Sequence, residues 1–264
     1  MTRAPDRLPR LILGATCYSD AYSTIELAVP LAGRLGAELL GVLIEEDAIL
    51  SYAGMPDART IGEPGKAAQQ VTAEKMMAAF RQDAAQFKRA LGQAATVAKI
   101  AWSFEQRRGQ FSRVFEGLAG TGDLLVLAYA RPRHHRRAIA LVMGQNATPA
   151  LYSNAAGVAQ ETGLPLVIFV PVAASAKIRA ELMQDLPNHR RAPDVVVRDY
   201  ASYDDLMRQI GALAAGLVFL AADVTGKLDL RQLTDAARCP VAIDSGLREP
   251  GAAPQPGQDT AGPQ

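Results

Sequence analysis

The feature that most constrains the fold is a strand–helix–strand pattern that occurs twice in the chain. Residues 10–46 read "RLILGATCYSDAYSTIELAVPLAGRLGAELLGVLIEE", and residues 138–172 read "AIALVMGQNATPALYSNAAGVAQETGLPLVIFVPV". In each copy an apolar run leads through a polar turn into helically spaced apolar residues, a glycine ends the helix, and a second apolar run follows. At a constant offset of 127, Ile12, Ala28, Ala32, Gly36 and Leu39 align with Ile139, Ala155, Ala159, Gly163 and Leu166. The pattern predicts an internal duplication.

A second overlay continues the repeat. The segment "YDDLMRQIGALAAGLVFLAA" approximately overlays "FSRVFEGLAGTGDLLVLAYA", and Leu124, Leu125 and Leu127 meet Leu217, Val218 and Leu220 at offset 93. The second copy is therefore shorter between the two overlays, where the first copy has a long loop and a long helix. It ends with "LRQLTDAARCPVAID", a predicted helix and strand that the first copy lacks.

Alternating strands and helices predict an α/β fold with parallel sheets flanked by helices, because strand–helix–strand units close as right-handed parallel crossovers. We expect a flexible N-terminus over 1–9, a first unit over 10–133, a second unit over 134–246 and a disordered tail over 247–264. A rival assignment makes residues 148–170 the closing helix and strand of the first unit. It would leave the second unit without its first strand, helix and strand.

The long helix of the first unit has one apolar stripe. Met77, Phe80, Ala84, Phe87 and Leu91 recur at helical spacing. Such a stripe is typical of a helix face that packs on a core. The segment before it, "EDAILSYAGMPDARTIGEPGK", is rich in turn residues and is predicted as a loop.

Composition excludes several classes of function. Lys and Arg total 28 against 27 Asp and Glu, so no overall field draws the protein onto nucleic acid or an anionic membrane. Two distant cysteines, Cys17 and Cys239, favour a reducing compartment and give no zinc-ligand spacing. There is no secretory signal pattern and no apolar run long enough to span a bilayer. We therefore expect a cytoplasmic protein without membrane insertion.

The opening segment from Arg10 to Glu46 and the closing "AARCPVAID" resemble the universal stress protein family, and the resemblance spans about residues 10–245 as a tandem pair. It implies two Rossmann-like units that pack as an intramolecular pseudo-dimer, with a further homodimer as an open alternative. In family members that bind ATP, an aspartate after the first strand contacts the base and glycines after the fourth strand surround the phosphates. Here Thr16 and Met143 stand at the aspartate positions, and "AYARPRHH" and "AADVTGKLD" lack the glycine pattern. The resemblance thus implies a nucleotide-binding fold with degenerate nucleotide motifs.

The expected ligand crevice lies beyond the carboxyl ends of the strands, where the strand order reverses. In the first unit its candidate ligand-binding residues are Thr16, Cys17, Ser19, Asp20, Arg131 and Arg133, with Glu45 and Glu46 as further walls. The arginines could hold a phosphate or carboxylate as charged forks. The alternative is a plain turn beneath a solvated basic loop.

Other chemistry has weaker support in the sequence. Cys17 is either a redox thiol near a helix start or a small residue that fills space at a strand end. His134 and His135 are adjacent, so their side chains diverge, and we expect no metal site. The basic stretch is too short and too poor in aromatic residues for nucleic-acid binding. "DVTGKLD" lacks the first glycine and the final Ser or Thr of a phosphate loop, and no catalytic motif is present.

We therefore expect a non-catalytic regulatory or interaction protein in stress response, with a protein partner that the sequence does not identify and no cofactor. The alternative is a sensor that binds ATP, another adenine nucleotide or another small anion in the crevice of the first unit.

Overall fold

The computed structural model describes residues 9–55, 71–118, 120, 122–129, 137–144, 149–185, 194–225 and 230–245. The predicted tail, the junction arginines Arg131 and Arg133, and both predicted junction histidines lie outside the described residues. The elements in chain order are β1 Arg10–Ala15, α1 Tyr18–Leu35, β2 Glu38–Glu45, α2 Asp47–Ala53, α3 Ala73–Val97, β3 Trp102–Arg108, α4 Phe111–Leu118, β4 Leu124–Leu127, β5 Ala138–Val142, α5 Pro149–Thr162, β6 Leu166–Pro171, a 3-10 turn Val172–Ala174, α6 Ser175–Asp185, β7 Val195–Tyr200, α7 Tyr203–Leu213, β8 Ala215–Leu220, α8 Ala222–Thr225, α9 Leu230–Ala237 and β9 Val241–Asp244.

The nine strands form a single sheet in the order β3-β2-β1-β4-β9-β8-β5-β6-β7. Every neighbouring pair is parallel except β4 and β9, which run antiparallel. Strands β1, β2, β4, β5, β6, β8 and β9 are almost wholly buried, as expected for strands covered on both faces. The predicted α/β class is confirmed, with the two sets of parallel strands joined in one sheet.

The strand β9 lies at the centre of the sheet. It pairs in parallel with β8 and in antiparallel with β4, and Ala242 has Phe219 beside it on one strand and Val126 on the other. These two neighbours are equivalent positions in the offset-93 overlay. Four strands lie on either side of β9, and the two sets have the same order when read outward from it. The sheet therefore has an approximate two-fold arrangement about Ala242.

Both glycines predicted to end the first helix of a unit do so. Gly36 follows α1 with a φ of 59°, and Gly163 follows α5 with a φ of 65°. This left-handed backbone conformation favours glycine, because a Cβ would clash with the following carbonyl. The backbone N–H of Gly36 also donates to Gly33 O, which closes the last turn.

The predicted stripe on α3 is correct except at its start. Phe80, Phe87 and Leu91 are buried, but Met77 is 47% exposed. The neighbouring Met76 instead packs on the small cluster of Ala53 and Val71. The prediction of Met77 was wrong because two consecutive methionines fit the stripe about equally well in the sequence.

Two regions differ from the sequence prediction or extend it. The loop predicted after β2 begins with a helix, α2, whose residues Leu50 and Ala53 are buried. In the second half, β6 lies between β5 and β7 and does not pair with β4. The rival assignment requires residues 166–170 to close the sheet of the first unit, and they do not pair with a strand of that unit. The predicted boundary near residue 133 stays a prediction, because residues 130–136 are outside the described part of the chain.

A buried ion pair joins the amino ends of β1 and β4. The Arg10 Nη2 donates to Asp123 Oδ2 at 2.6 Å, and the backbone N–H groups of Arg10 and Gly120 donate to the same carboxylate at 3.1 and 2.9 Å. Ser245, directly after β9, donates its hydroxyl to Gly120 O at 2.8 Å. We call Arg10, Gly120, Asp123 and Ser245 the β1–β4–β9 clamp, because it connects these three strands.

Helices α1 and α5 meet through a contact between equivalent positions. The Arg34 Nη2 forms an ion pair with Glu161, its counterpart at offset 127, and the guanidinium lies against Gly157 so closely that a Cβ there would overlap it. A duplicated chain can place opposite charges at one position of the repeat, whereas two identical chains would place two arginines together. Among the described residues, no helix is both long and apolar enough to cross a membrane.

Candidate functional site

The candidate residues of the first unit lie together in the loop between β1 and α1. The Thr16 hydroxyl donates to Asp20 Oδ2 at 3.3 Å, and the Cys17 Sγ lies 3.0 Å from the Ser19 Oγ. The structure thus brings these four side chains together, and Asp20 interacts with both Thr16 and Cys17. The two arginines proposed to complete this site are outside the described residues.

The chain that leaves β4 is fastened to α1 beside this loop. The Ser23 hydroxyl donates to Tyr129 O at 2.7 Å, and the Tyr129 N–H donates to Thr24 Oγ1 at 3.4 Å. Thr24 is completely buried. The chain that leaves β4 is therefore hydrogen-bonded to α1 at Tyr129, beside the crevice between β1 and β4. Sequence reasoning did not identify Ser23 and Thr24, although two consecutive hydroxyl residues on an apolar helix were a visible signal.

The described surroundings of Cys17 do not activate its thiol. Burial raises its pKa, and the nearby Asp20 carboxylate adds to this effect against the lowering by the Ser19 hydrogen bond. A redox thiol would need a lowered pKa. The alternative that Cys17 fills space at the end of β1 agrees better with these contacts.

The two glutamates expected to wall this crevice have different environments. Glu45 accepts a hydrogen bond from the Gln106 amide on β3, which is the strand on the side away from β1. Glu46 is only 7% exposed and precedes α2. Of the two, Glu45 is thus directed away from the switch point between β1 and β4.

A cavity of about 290 Å³ lies at the other switch point of the sheet, in the second half of the chain. Its lining residues come directly after four strands: Gly144 after β5, Pro171, Val172 and Ala173 at the end of β6, Tyr200, Ala201, Ser202 and Tyr203 at the end of β7, and Asp223 and Val224 after β8. Strands β5 and β8 are the pair between which the strand order reverses. In open α/β sheets this is the usual position of a ligand crevice.

Two tyrosines form the aromatic wall of this cavity. The rings of Tyr200 and Tyr203 are 6.4 Å apart between centroids and tilted by 38°. The Tyr200 hydroxyl donates to Met143 O at 3.3 Å. Burial, with smaller contributions from Tyr203 and Asp223, raises the pKa of Tyr200 to about 12. Tyr200 is thus a neutral donor committed to a backbone carbonyl, which does not suit it as a general base.

Asp223 also lines the cavity and lies against the backbone of Gly144. A Cβ on Gly144 would overlap the Asp223 carboxylate. Only glycine permits this approach, since any other side chain would displace Asp223. Among the described lining residues, Asp223 has the only carboxyl side chain, and none of them is Lys, Arg or His.

The cavity contains no described metal-binding cluster. Nowhere in the described ranges do three His, Cys, Asp or Glu side chains come together as metal ligands. The sequence analysis missed the cavity because its walls come from four separate segments. Met143 was noted only for lacking an aspartate side chain, and its carbonyl proves to be the acceptor that holds Tyr200.

The fold and the cavity define a mostly parallel α/β protein with a small-molecule-sized cavity at the carboxyl ends of its strands. No protein-family model matches the chain, and no curated protein matches it. Its structure is similar to that of a universal stress protein from Archaeoglobus fulgidus DSM 4304, at 11% identity and a TM-score of 0.49, covering 90% of this chain and 96% of that one.

Two chains from Pseudomonas aeruginosa are also similar. One, from strain UCBPP-PA14, is provisionally assigned to the universal stress proteins and has 12% identity and a TM-score of 0.41, with 89% of this chain and 93% of that one covered. The other, from strain PAO1, has no known function and shows 12% identity and a TM-score of 0.37, over 83% and 87% of the two chains. Such identities do not transfer a function, so the function proposed below rests on the residues of this chain.

Proposed function

We propose that this chain is a non-catalytic, universal stress protein-like protein of stress response that acts by binding a small molecule in the cavity of its second half. The observation that carries the proposal is the cavity itself, at the switch point between β5 and β8. Its volume of about 290 Å³ is near the lower end of ligand cavities, roughly 300–1,000 Å³. Apolar walls with a few fixed polar groups are typical of binding sites.

The chemistry of the cavity supports binding rather than catalysis. The phenol of Tyr200 donates to a carbonyl and has a raised pKa, and the Asp223 carboxylate lies against a backbone glycine. The resemblance of the opening segment and of "AARCPVAID" to universal stress proteins, and the same strand order on either side of β9, support a tandem protein of that kind. We propose a cytoplasmic location and a protein partner that reads the bound state.

A substitution at the cavity wall tests the proposal. Ala173 is an exposed lining residue, and Ala176 is an equally exposed residue on the following helix outside the cavity. We expect Ala173→Phe to abolish the stabilisation by a bound small molecule that wild type and Ala176→Phe both retain. Native mass spectrometry of gently purified protein identifies co-purified molecules, and thermal unfolding with a metabolite library measures the stabilisation. Equal ligand responses of both variants would exclude the cavity.

Catalysis is tested separately. ATP hydrolysis that rises in proportion to protein concentration and is lost in Ala173→Phe or Asp223→Asn would refute the non-catalytic proposal. We expect the measured rate to equal that of a buffer control.

Anion binding by the first unit is a second candidate function. It is supported by the hydrogen bonds between Tyr129 and α1, because they hold the start of the basic segment beside the β1–α1 loop. Calorimetry with ATP and AMP, using Arg131→Ala and Arg133→Ala as controls, decides it. The Asp20 carboxylate in that loop opposes an anion. Absence of heat with either nucleotide at high micromolar concentration would eliminate this candidate.

A further inference from the structure

We infer that the cavity between β5 and β8 takes a small organic cation, and that it rejects phosphate-bearing ligands. This inference rests on the proposed function, since it names the chemical class of ligand for the same cavity. Four observations carry it: the charge of the lining, the arrangement of the tyrosines, the state of the helix terminus at the mouth, and the size of the cavity.

The one charge-bearing side chain of the described lining is acidic. Asp223 is the only residue with a carboxyl group among the described lining residues, which include no Lys, Arg or His. A carboxylate in a partly enclosed cavity attracts a cation and repels a phosphate more strongly than it would in open water.

Tyr200 presents aromatic surface rather than a hydrogen-bond donor, because its hydroxyl already donates to Met143 O. Tyr200 and Tyr203 both line the cavity, with ring centroids 6.4 Å apart and planes tilted by 38°. Neighbouring aromatic rings suit an ammonium group, because the negative faces of aromatic rings attract a cation within about 6 Å.

Helix α7 begins at the cavity, and its amino end would ordinarily favour an anion. Here that end is already occupied by its own side chains. The Asp205 N–H donates to Ser202 Oγ at 3.2 Å, and the Ala201 N–H donates to Asp205 Oδ2 at 3.2 Å. Asp204 and Asp205 also place two carboxylates in the first turn. The feature that could attract a phosphate is thus neutralised within the protein.

The volume of the cavity limits the size of the ligand. A cavity of about 290 Å³ holds a small molecule, near the lower limit of roughly 300 Å³ for ligand sites. Exposed Val172 and buried Val224 supply apolar surface for the carbon part of such a ligand. The ligand class is therefore an amine, quaternary ammonium or guanidinium compound with a short apolar body.

The test compares probes of different charge, among which choline and its neutral isostere have the same shape. Choline and agmatine are the cationic probes, the uncharged isostere of choline with carbon in place of nitrogen is the neutral probe, and AMP is the anionic probe. Amide chemical shifts of the 15N-labelled full chain locate binding and give the dissociation constants. We expect at least one cation to shift the resonances of Tyr200–Tyr203 and to bind about tenfold more tightly than the neutral isostere.

Variants separate charge from shape. Asp223→Asn keeps the size of the side chain and should weaken the cation about tenfold or more, while Asp235→Asn, an exposed aspartate of α9 outside the cavity, should leave its affinity unchanged. Tyr203→Leu provides a second variant in case Asp223→Asn unfolds, and it should weaken the cation without creating affinity for AMP. Circular dichroism checks that each variant is folded.

The outcomes distinguish the inference from the proposed function. If the neutral isostere binds as tightly as choline, or if AMP shifts Tyr200–Tyr203, the cavity is a binding site and the cationic assignment is wrong. If only Asp235→Asn weakens the cation, the assignment to Asp223 is also wrong. If no probe of any charge shifts these resonances and Ala173→Phe changes nothing in the metabolite screen, both the inference and the proposed function fail.

Discussion

The β1–β4–β9 clamp predicts an unequal response to loss of its two charged residues. Asp123 is 3% exposed and accepts hydrogen bonds from Arg10 Nη2 at 2.6 Å and from the backbone N–H groups of Arg10 and Gly120. Asp123→Ala removes the acceptor for all of these donors, and the guanidinium, whose side chain is 13% exposed, retains Leu118 O as a described partner. Removing one partner of a buried ion pair costs about 3–5 kcal/mol of unfolding free energy.

Replacing the arginine should cost less. In Arg10→Met the Asp123 carboxylate still accepts the two backbone N–H groups, and the methionine keeps most of the apolar stem. We expect Arg10→Met to lower the free energy of unfolding by about 2 kcal/mol, because one hydrogen bond to a charged group contributes roughly 1.5–3 kcal/mol. The double variant should cost less than the sum of the single variants, because both act on the same pair.

Urea unfolding followed by circular dichroism measures these differences through the midpoint and slope of the transition. The matched control is the exposed pair of Arg108 and Asp47, with side chains 63% and 57% exposed and a separation of 2.9 Å. Asp47→Ala should cost about 1 kcal/mol or less, as surface pairs do. The reasoning is refuted if Asp123→Ala costs no more than Asp47→Ala, or if Arg10→Met costs as much as Asp123→Ala.

Three further predictions concern single residues. The pKa of Tyr200 is raised from 10.0 to about 12, so its contribution to the free energy of unfolding should be complete below pH 10 and be lost as the pH rises through 12. In urea unfolding, Tyr200→Phe should remove this loss of stability at alkaline pH. An unchanged loss would contradict its assignment to Tyr200. Gly92→Ala places a Cβ 2.6 Å from the Trp102 ring, so it should lower the free energy of unfolding by about 1–3 kcal/mol. It should also shift the fluorescence emission of Trp102, the single tryptophan of the chain. Unaltered emission would mean that the ring moves freely. The Cys17 thiol, with its raised pKa, should react with iodoacetamide at neutral pH more slowly than free cysteine, and a faster reaction would revive the redox proposal.

The order of elements in each half could be predicted from the sequence because local signals specify it. Apolar runs define the buried strands, and Gly36 and Gly163 end their helices through a backbone conformation that other residues adopt at a cost. A helix that connects two strands of one sheet returns the chain to the edge where the first strand began, so that the two strands run parallel. These rules act over a few tens of residues, and they hold in both copies of the duplicated unit.

The joining of the two halves could not be predicted in the same way. The strand "VAID" is apolar throughout, and nothing in it indicates that Leu127 pairs with Val241 in antiparallel direction. The cavity escaped prediction for a related reason, because Gly144, Tyr200 and Asp223 approach one another only after three crossovers are complete. The choice between Met76 and Met77 likewise depended on Val71 and Ala53, which lie in other segments.

The central position of β9 has a consequence for synthesis on the ribosome. When the first half of the chain has emerged, β4 has β1 on one side and an unpaired apolar edge on the other. Its second neighbour, β9, is translated only after all of the other strands. Exposed apolar edges invite pairing with other chains. Nascent chains of this protein therefore expose this apolar edge from the synthesis of β4 until that of β9, during roughly the second half of translation.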